Sequence, residues 1–126
     1  MPKTILETPS GPGALGPYSI ATEANGFVFC SGMVPIDPES GRGVDGGVED
    51  QTHQVMKNIG AVLADVGLTY DDIVKTTIFL ADIDDFSTVN GVYAQYVGDA
   101  KPARSTIQAG ALPGGFRVEI ECIAAR

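Results

Sequence analysis

Residues 19–33 read SIATEANGFVFCSGM, and the Asn25-Gly26 pair at the centre decides how the chain begins to fold. Both residues tolerate the left-handed backbone that a tight turn needs, and strand-forming residues flank them. The stretch therefore predicts a two-residue β-hairpin between Ser19–Ala24 and Phe27–Met33. Upstream, Lys3–Glu7 reads as a short first strand. SGPGALGP follows as a turn-rich loop, because its prolines and glycines cannot continue a ladder, and this loop delivers Tyr18 to the hairpin. Downstream, residues 34–47 contain two prolines and four glycines without periodicity, which predicts a surface loop.

Beyond the loop the period changes from two to nearly four. Thr52, Val55, Ile59, Leu63 and Val66 recur at spacings of three and four. Glu49 and Asp50 suit a helix N-terminus, and Gly67 supplies the stop. DIVKTTIFL, residues 72–80, is rich in β-branched residues and reads as a buried strand. Asp84 or Asp85 can cap a second helix with Phe86, Val89, Tyr93 and Tyr96 along one face. Ser105–Gln108 and Arg117–Ala125 close the chain as strands joined by the turn-prone AGALPGG. In the last of them Val118, Ile120, Cys122 and Ala124 alternate with Arg117, Glu119, Glu121 and Ile123, so the first set is core. The order β-β-β-α-β-α-β-β suits an α+β sheet with both helices on one face. The other face then lacks cover, which predicts a homo-oligomer that buries these faces against one another.

A chain of 126 residues fits one domain, 1–126, and no apolar run reaches the roughly 20 residues of a membrane span. The N-terminus lacks the long apolar segment of a secretory signal, so the expected compartment is the cytoplasm. Cys30 and Cys122 lie inside strands without CxxC spacing and are expected to be reduced core residues. The formal net charge of -8, with basic residues scattered along the chain, argues against a nucleic-acid partner.

Few residues offer chemistry. Arg104 follows Pro102 in KPARSTIQ, residues 101–108, in what reads as a loop before a strand. Its planar fork of donors matches a carboxylate, and its two readings are a surface ion pair or a clamp for a small organic acid. Glu119 and Glu121 read as solvated carboxylates or partners of Arg117. His53, the only histidine, reads as a surface residue beside the acids that start its helix. P-loop and GxSxG motifs are absent, and Phe27, Phe29 and Phe79 are expected in the core.

Six segments in order, LGPYSIA, FCSGMVPIDPESG, KNIGAVLADVGL, DDIVKTTIFLADIDDFSTVNGVY, PARSTI and LPGGFRVEIECIA, resemble the RidA/YjgF family of reactive-intermediate deaminases over nearly the whole chain. The resemblance implies a fold like the Bacillus type of chorismate mutase, and a homotrimer whose sheets meet in a central barrel. It implies hydrolysis of 2-imino and 2-enamino acids to 2-keto acids and ammonia at sites between subunits, without cofactor or metal. Arg104 would then clamp the substrate carboxylate and Glu119 would help hold the attacking water. Tyr18, Ser31, Gly32, Asn90 and Thr106 fall at pocket positions of the motifs. Three residues depart from the family pattern. Thr106 stands where cysteine is common, and Ile20 and Met33 stand where glutamine is frequent; the stretch from Asn90 to Arg104 is also short for the group. Two other readings stay open: a noncatalytic sensor of 2-keto or imino acids, and an endoribonuclease or translation inhibitor, against which the charge counts.

Overall fold

Asn25 and Gly26 adopt φ of 53° and 82°, the left-handed pair expected of the turn. In the computed structural model, which describes residues 2–126, they join β2 (Ala21–Ala24) to β3 (Phe27–Met33). The first strand, β1 (Thr4–Ile5), is shorter than predicted and pairs with β2. Residues 34–47 are not a plain loop. They fold into a ribbon of β4 (Ile36–Asp37) and β5 (Arg42–Gly43), followed by helix α1 (Val48–Asp65). Buried Asn58 of α1 explains the ribbon: its amide nitrogen donates to the carbonyls of Val34 and Ile36 at 3.1 and 2.9 Å. Without that side chain the Ile36 carbonyl would lose this bond and the Val34 carbonyl would keep only the amide of Ile36, and a buried group left unpaired costs about 1–3 kcal/mol.

The periodic positions of α1 behave as read. Thr52, Val55, Ile59 and Leu63 are buried, while Val66 packs at the margin. Gly67 takes φ of 81° and the helix ends in a Schellman motif, in which the amide of Leu68 donates to the carbonyl of Leu63 and that of Gly67 to Ala64. After β6 (Ile73–Leu80) comes α2 (Phe86–Val97). The capping side chain is neither Asp84 nor Asp85. Asp82 accepts from the amide of Asp84 and caps a short 3-10 turn, Ile83–Asp85, that leads into α2. The chain closes with β7 (Ala103–Gln108) and β8 (Val118–Ala125).

The six main strands lie in the order β1-β2-β3-β8-β6-β7. All neighbours are antiparallel except β6 and β7, which α2 connects as a parallel crossover. One sheet face carries Val28, Met33, Ile78, Leu80, Val118 and Ile120, all at most 2% exposed, into a core shared with both helices. Each such side chain contributes about 1.5–3 kcal/mol of burial. The Cys30 and Cys122 thiols face each other in register inside this core, free and buried. The opposite face is open. Phe27 and Phe29 project there at 44% and 42% exposure, with Ile107 at 49%, and half-buried Phe79 points the same way from β6. The expectation that these phenylalanines fill the core is corrected, because Val28 and Cys30 take the inward positions of β3. No helix among the described residues is long and apolar enough to cross a membrane.

Candidate functional site

Arg104 is not in a loop. It is the second residue of β7, opposite Thr76 of β6, which puts it on the helix-covered side of the sheet at the edge strand. There its guanidinium carbon lies 5.1 Å from the ring centroid of Tyr93 and 5.5 Å from that of Phe86, both on α2. Rings in these positions hold the cation through their electron-rich faces and leave its in-plane donors for another partner. The two ion pairs among the described residues are Arg117 with Asp85 at 2.8 Å and Arg126 with Glu23 at 2.9 Å. Arg104 is in neither, so the ion-pair reading does not hold within this chain, and Arg117 is paired away from Glu119. A cavity of about 410 Å³ opens beside Arg104, lined also by Asn90, Tyr93, Lys101 and Pro102 and by no carboxylate. In an acidic chain, that is a pocket suited to an anion.

Helical spacing builds the pocket's second wall. Phe86, Asn90 and Tyr93 stand at i, i+4 and i+7 on α2, so one stripe presents all three toward β7. Phe86 is 39% exposed rather than core. The Tyr93 hydroxyl and the hydroxyl of buried Thr76 are 2.7 Å apart, which fixes the ring that faces Arg104. Burial raises the Tyr93 phenol above its usual range, so it is a neutral hydrogen-bonding group. Reading α2 as an apolar face missed this role, although the polar Asn90 within the same stripe was the available signal.

Thr106, two residues on, faces the same side, yet its hydroxyl oxygen is buried with no hydrogen-bond partner. An unsatisfied buried hydroxyl costs about 1–3 kcal/mol. Thr106→Val, nearly isosteric, is expected to stabilise the protein by about 1 kcal/mol in chemical denaturation. A loss of stability would mean that the hydroxyl has a partner in solution.

A second group forms around Glu119. β8 points Val118 and Ile120 into the core, so Glu119 lies on the open face opposite Phe79. Gly32, within the irregularity between Cys30 and Met33 of β3, leaves room for it: a Cβ there would collide with the Glu119 carboxylate. Next to Gly32, the Ser31 hydroxyl donates to the carbonyl of Ser19 at 2.7 Å, tying the Tyr18 loop to β3. Tyr18 is half exposed, and its hydroxyl accepts from the amide of Leu15. Burial, and then the neighbouring Glu121 carboxylate, raise the Glu119 carboxyl above the usual carboxylate range. A carboxyl raised in this way favours the fold when protonated. Its contribution is present below the unfolded value of about 4.3 and is lost as pH rises through the raised folded value. Glu119→Gln is therefore expected to raise Tm at neutral pH and to change it little below about pH 4. Equal shifts at both would show that Glu119 is not under this strain.

The predicted residues thus fall into two groups rather than one. Arg104, Asn90 and Thr106 lie on the helix side and Glu119 on the open face with Gly32 beside it, the sheet standing between. His53 joins neither, its Nδ1 lying 2.8 Å from the Tyr96 hydroxyl instead of beside its helix acids. A family model described as Endoribonuclease L-PSP matches residues 8–126. The chain belongs to this family, known also as RidA/YjgF. Within the family it is 52% identical over 122 residues to "Reactive Intermediate Deaminase A, chloroplastic" of Arabidopsis thaliana, covering 97% of this chain and 65% of that protein. This RidA-family chain thus spans just under two-thirds of the plant protein. It is 44% identical over 122 residues to the human "2-iminobutanoate/2-iminopropanoate deaminase", covering 97% and 89% of the two chains. Among solved structures, E. coli TdcF with bound serine superposes at a TM-score of 0.91 with 38% identity, over 98% of each chain.

Proposed function

We propose that this RidA-family chain is a deaminase that hydrolyses small reactive 2-imino and 2-enamino acids, such as 2-iminobutanoate and 2-iminopropanoate, to 2-keto acids and ammonia. The observation that carries the reading is Arg104, a strand-held guanidinium between two rings, without an acidic partner, at an anion-suited cavity. Relatives named for this reaction cover nearly the whole chain, and a related fold has been solved with serine, an amino acid that carries the same carboxylate.

The working unit is a homotrimer of the chorismate-mutase-like fold, with the apolar open faces meeting in a central barrel. Each site takes Arg104, Asn90 and Thr106 from one subunit and Tyr18, Ser31, Gly32 and Glu119 from its neighbour. The two-sided placement of these groups supports that division, since the sheet separates them within one chain. In the site, Arg104 binds the substrate carboxylate with paired donors and sets C2 of the imine toward Glu119. An enamine first takes a proton at C3 to become the iminium, the protonated imine. Water then adds to C2 as Glu119 accepts its proton, a role that a carboxyl raised toward neutrality suits better than an ordinary one. The proton passes to the amino nitrogen of the carbinolamine, and the C–N bond breaks to release ammonia while the hydroxyl proton returns to Glu119, leaving the 2-keto acid.

The test is release of ammonia and 2-oxobutanoate from 2-iminobutanoate generated in place by a threonine dehydratase. Acceleration over the uncatalysed hydrolysis is expected. Binding of 2-oxobutanoate without acceleration would make the chain a sensor instead, and neither binding nor acceleration would remove the reading.

A further inference from the structure

We infer that Tyr93, locked by Thr76, is the positioning residue that aims Arg104, so that substrate affinity in this enzyme is set partly by a hydrogen bond that never touches substrate. The inference rests on the function proposed above for Arg104. An arginine side chain has several rotatable bonds, and one that lacks an ion pair would ordinarily sample many orientations. Here the planar group has a ring on α2 at 5.1 Å and another at 5.5 Å, and it starts from a strand residue directly opposite Thr76. Thr76 is 1% exposed and Tyr93 6%, and their 2.7 Å hydrogen bond spans from β6 to α2. The ring therefore cannot swing away from β7 about its Cα–Cβ bond without leaving two buried hydroxyls unpaired. Phe86, the ring at 5.5 Å, is 39% exposed and has no polar atom to fix it. Of the two rings, only Tyr93 is anchored, and the guanidinium takes its direction from the anchored one.

This arrangement separates two properties that a merely structural core tyrosine would not. Loss of the hydroxyl should loosen the guanidinium and weaken carboxylate binding, while the chemistry at C2, carried out by other groups, changes less. Tyr93→Phe and Thr76→Val are each expected to raise KM for 2-iminobutanoate, and Kd for 2-oxobutanoate, about 3- to 10-fold, with a smaller fall in kcat. Tyr93→Leu, which removes ring and hydroxyl together, should do more. The Arg104 side-chain Nε–H resonance should also move downfield in Tyr93→Leu as the ring current disappears. Equal Kd values and an unmoved Arg104 resonance in the folded variants, with only Tm reduced, would overturn the inference and return Tyr93 to the core. Should Tyr93→Leu fail to fold, Tyr93→Phe and Thr76→Val decide the matter through KM and Kd. If wild type neither binds 2-oxobutanoate nor releases ammonia, the deaminase reading fails by itself. The Arg104 resonance in Tyr93→Leu then still reports whether the ring holds the guanidinium.

Discussion

Arg104→Ala is expected to lose roughly 100- to 1000-fold in kcat/KM for 2-iminobutanoate, the scale of removing one charge-assisted donor pair from a site. The loss should come with little change in Tm. Arg104 makes no ion pair, and its contacts with the two rings are of a kind worth about 0.5–1 kcal/mol near a surface. Arg104→Lys keeps the charge but gives up the planar fork, so it should fall between alanine and wild type. Ammonia release, the sedimentation profile and thermal unfolding, measured together, separate the possibilities. A variant that keeps full activity would remove Arg104 from the site. A variant that dissociates would make Arg104 an interface residue first, and its loss of activity would then be secondary.

The second large effect comes from pairing two inactive chains. Glu119→Gln should slow turnover by about 100-fold or more while sparing carboxylate binding, the ordinary consequence of losing a general base. If each site joins Arg104 of one subunit to Glu119 of its neighbour, Arg104→Ala and Glu119→Gln chains expressed together should rescue one another. Random assembly at equal amounts leaves roughly a quarter of the sites with both native groups, so about a quarter of wild-type activity should return. The same proteins purified separately and mixed without subunit exchange should stay inactive. Mixed oligomers, identified by different affinity tags, that show no more activity than the parents would place both groups in a single-chain site or exclude Glu119 from it. The opposite sheet faces of Arg104 and Glu119 argue against the single-chain alternative.

Much of this architecture is written in local patterns. Asn25-Gly26 specifies its turn through backbone preference, and β8 alternates polar with apolar residues, so both could be read from neighbours alone. The aromatic strand could not. FVFCSGM is apolar at successive positions, and nothing local says whether Phe27 and Phe29 or Val28 and Cys30 face the helices. The ribbon of β4 and β5 escaped for a different reason, since Asn58 holds it from 22 and 24 residues away. Pro102 suggested that Arg104 sits in a loop, but the parallel partner β6 extends the strand to Ala103. The division of the candidate site between two faces depends on the register of β8 and β7 against β6, which requires three strands at once.

The strand at the middle of the sheet follows every other element in the chain: β8 lies between β3 and β6 and pairs with both. During synthesis, β3 and β6 leave the ribosome before the strand that joins them exists. The hairpin and the helices can form early, yet the phenylalanines and the inward faces of β3 and β6 wait without their shared neighbour. Contacts of long sequence separation close late, and waiting apolar strands are open to misassociation. A nascent chain stalled before residue 118 should therefore be protease-sensitive throughout, with no folded half, and it would depend on chaperone cover for as long as β8 is missing.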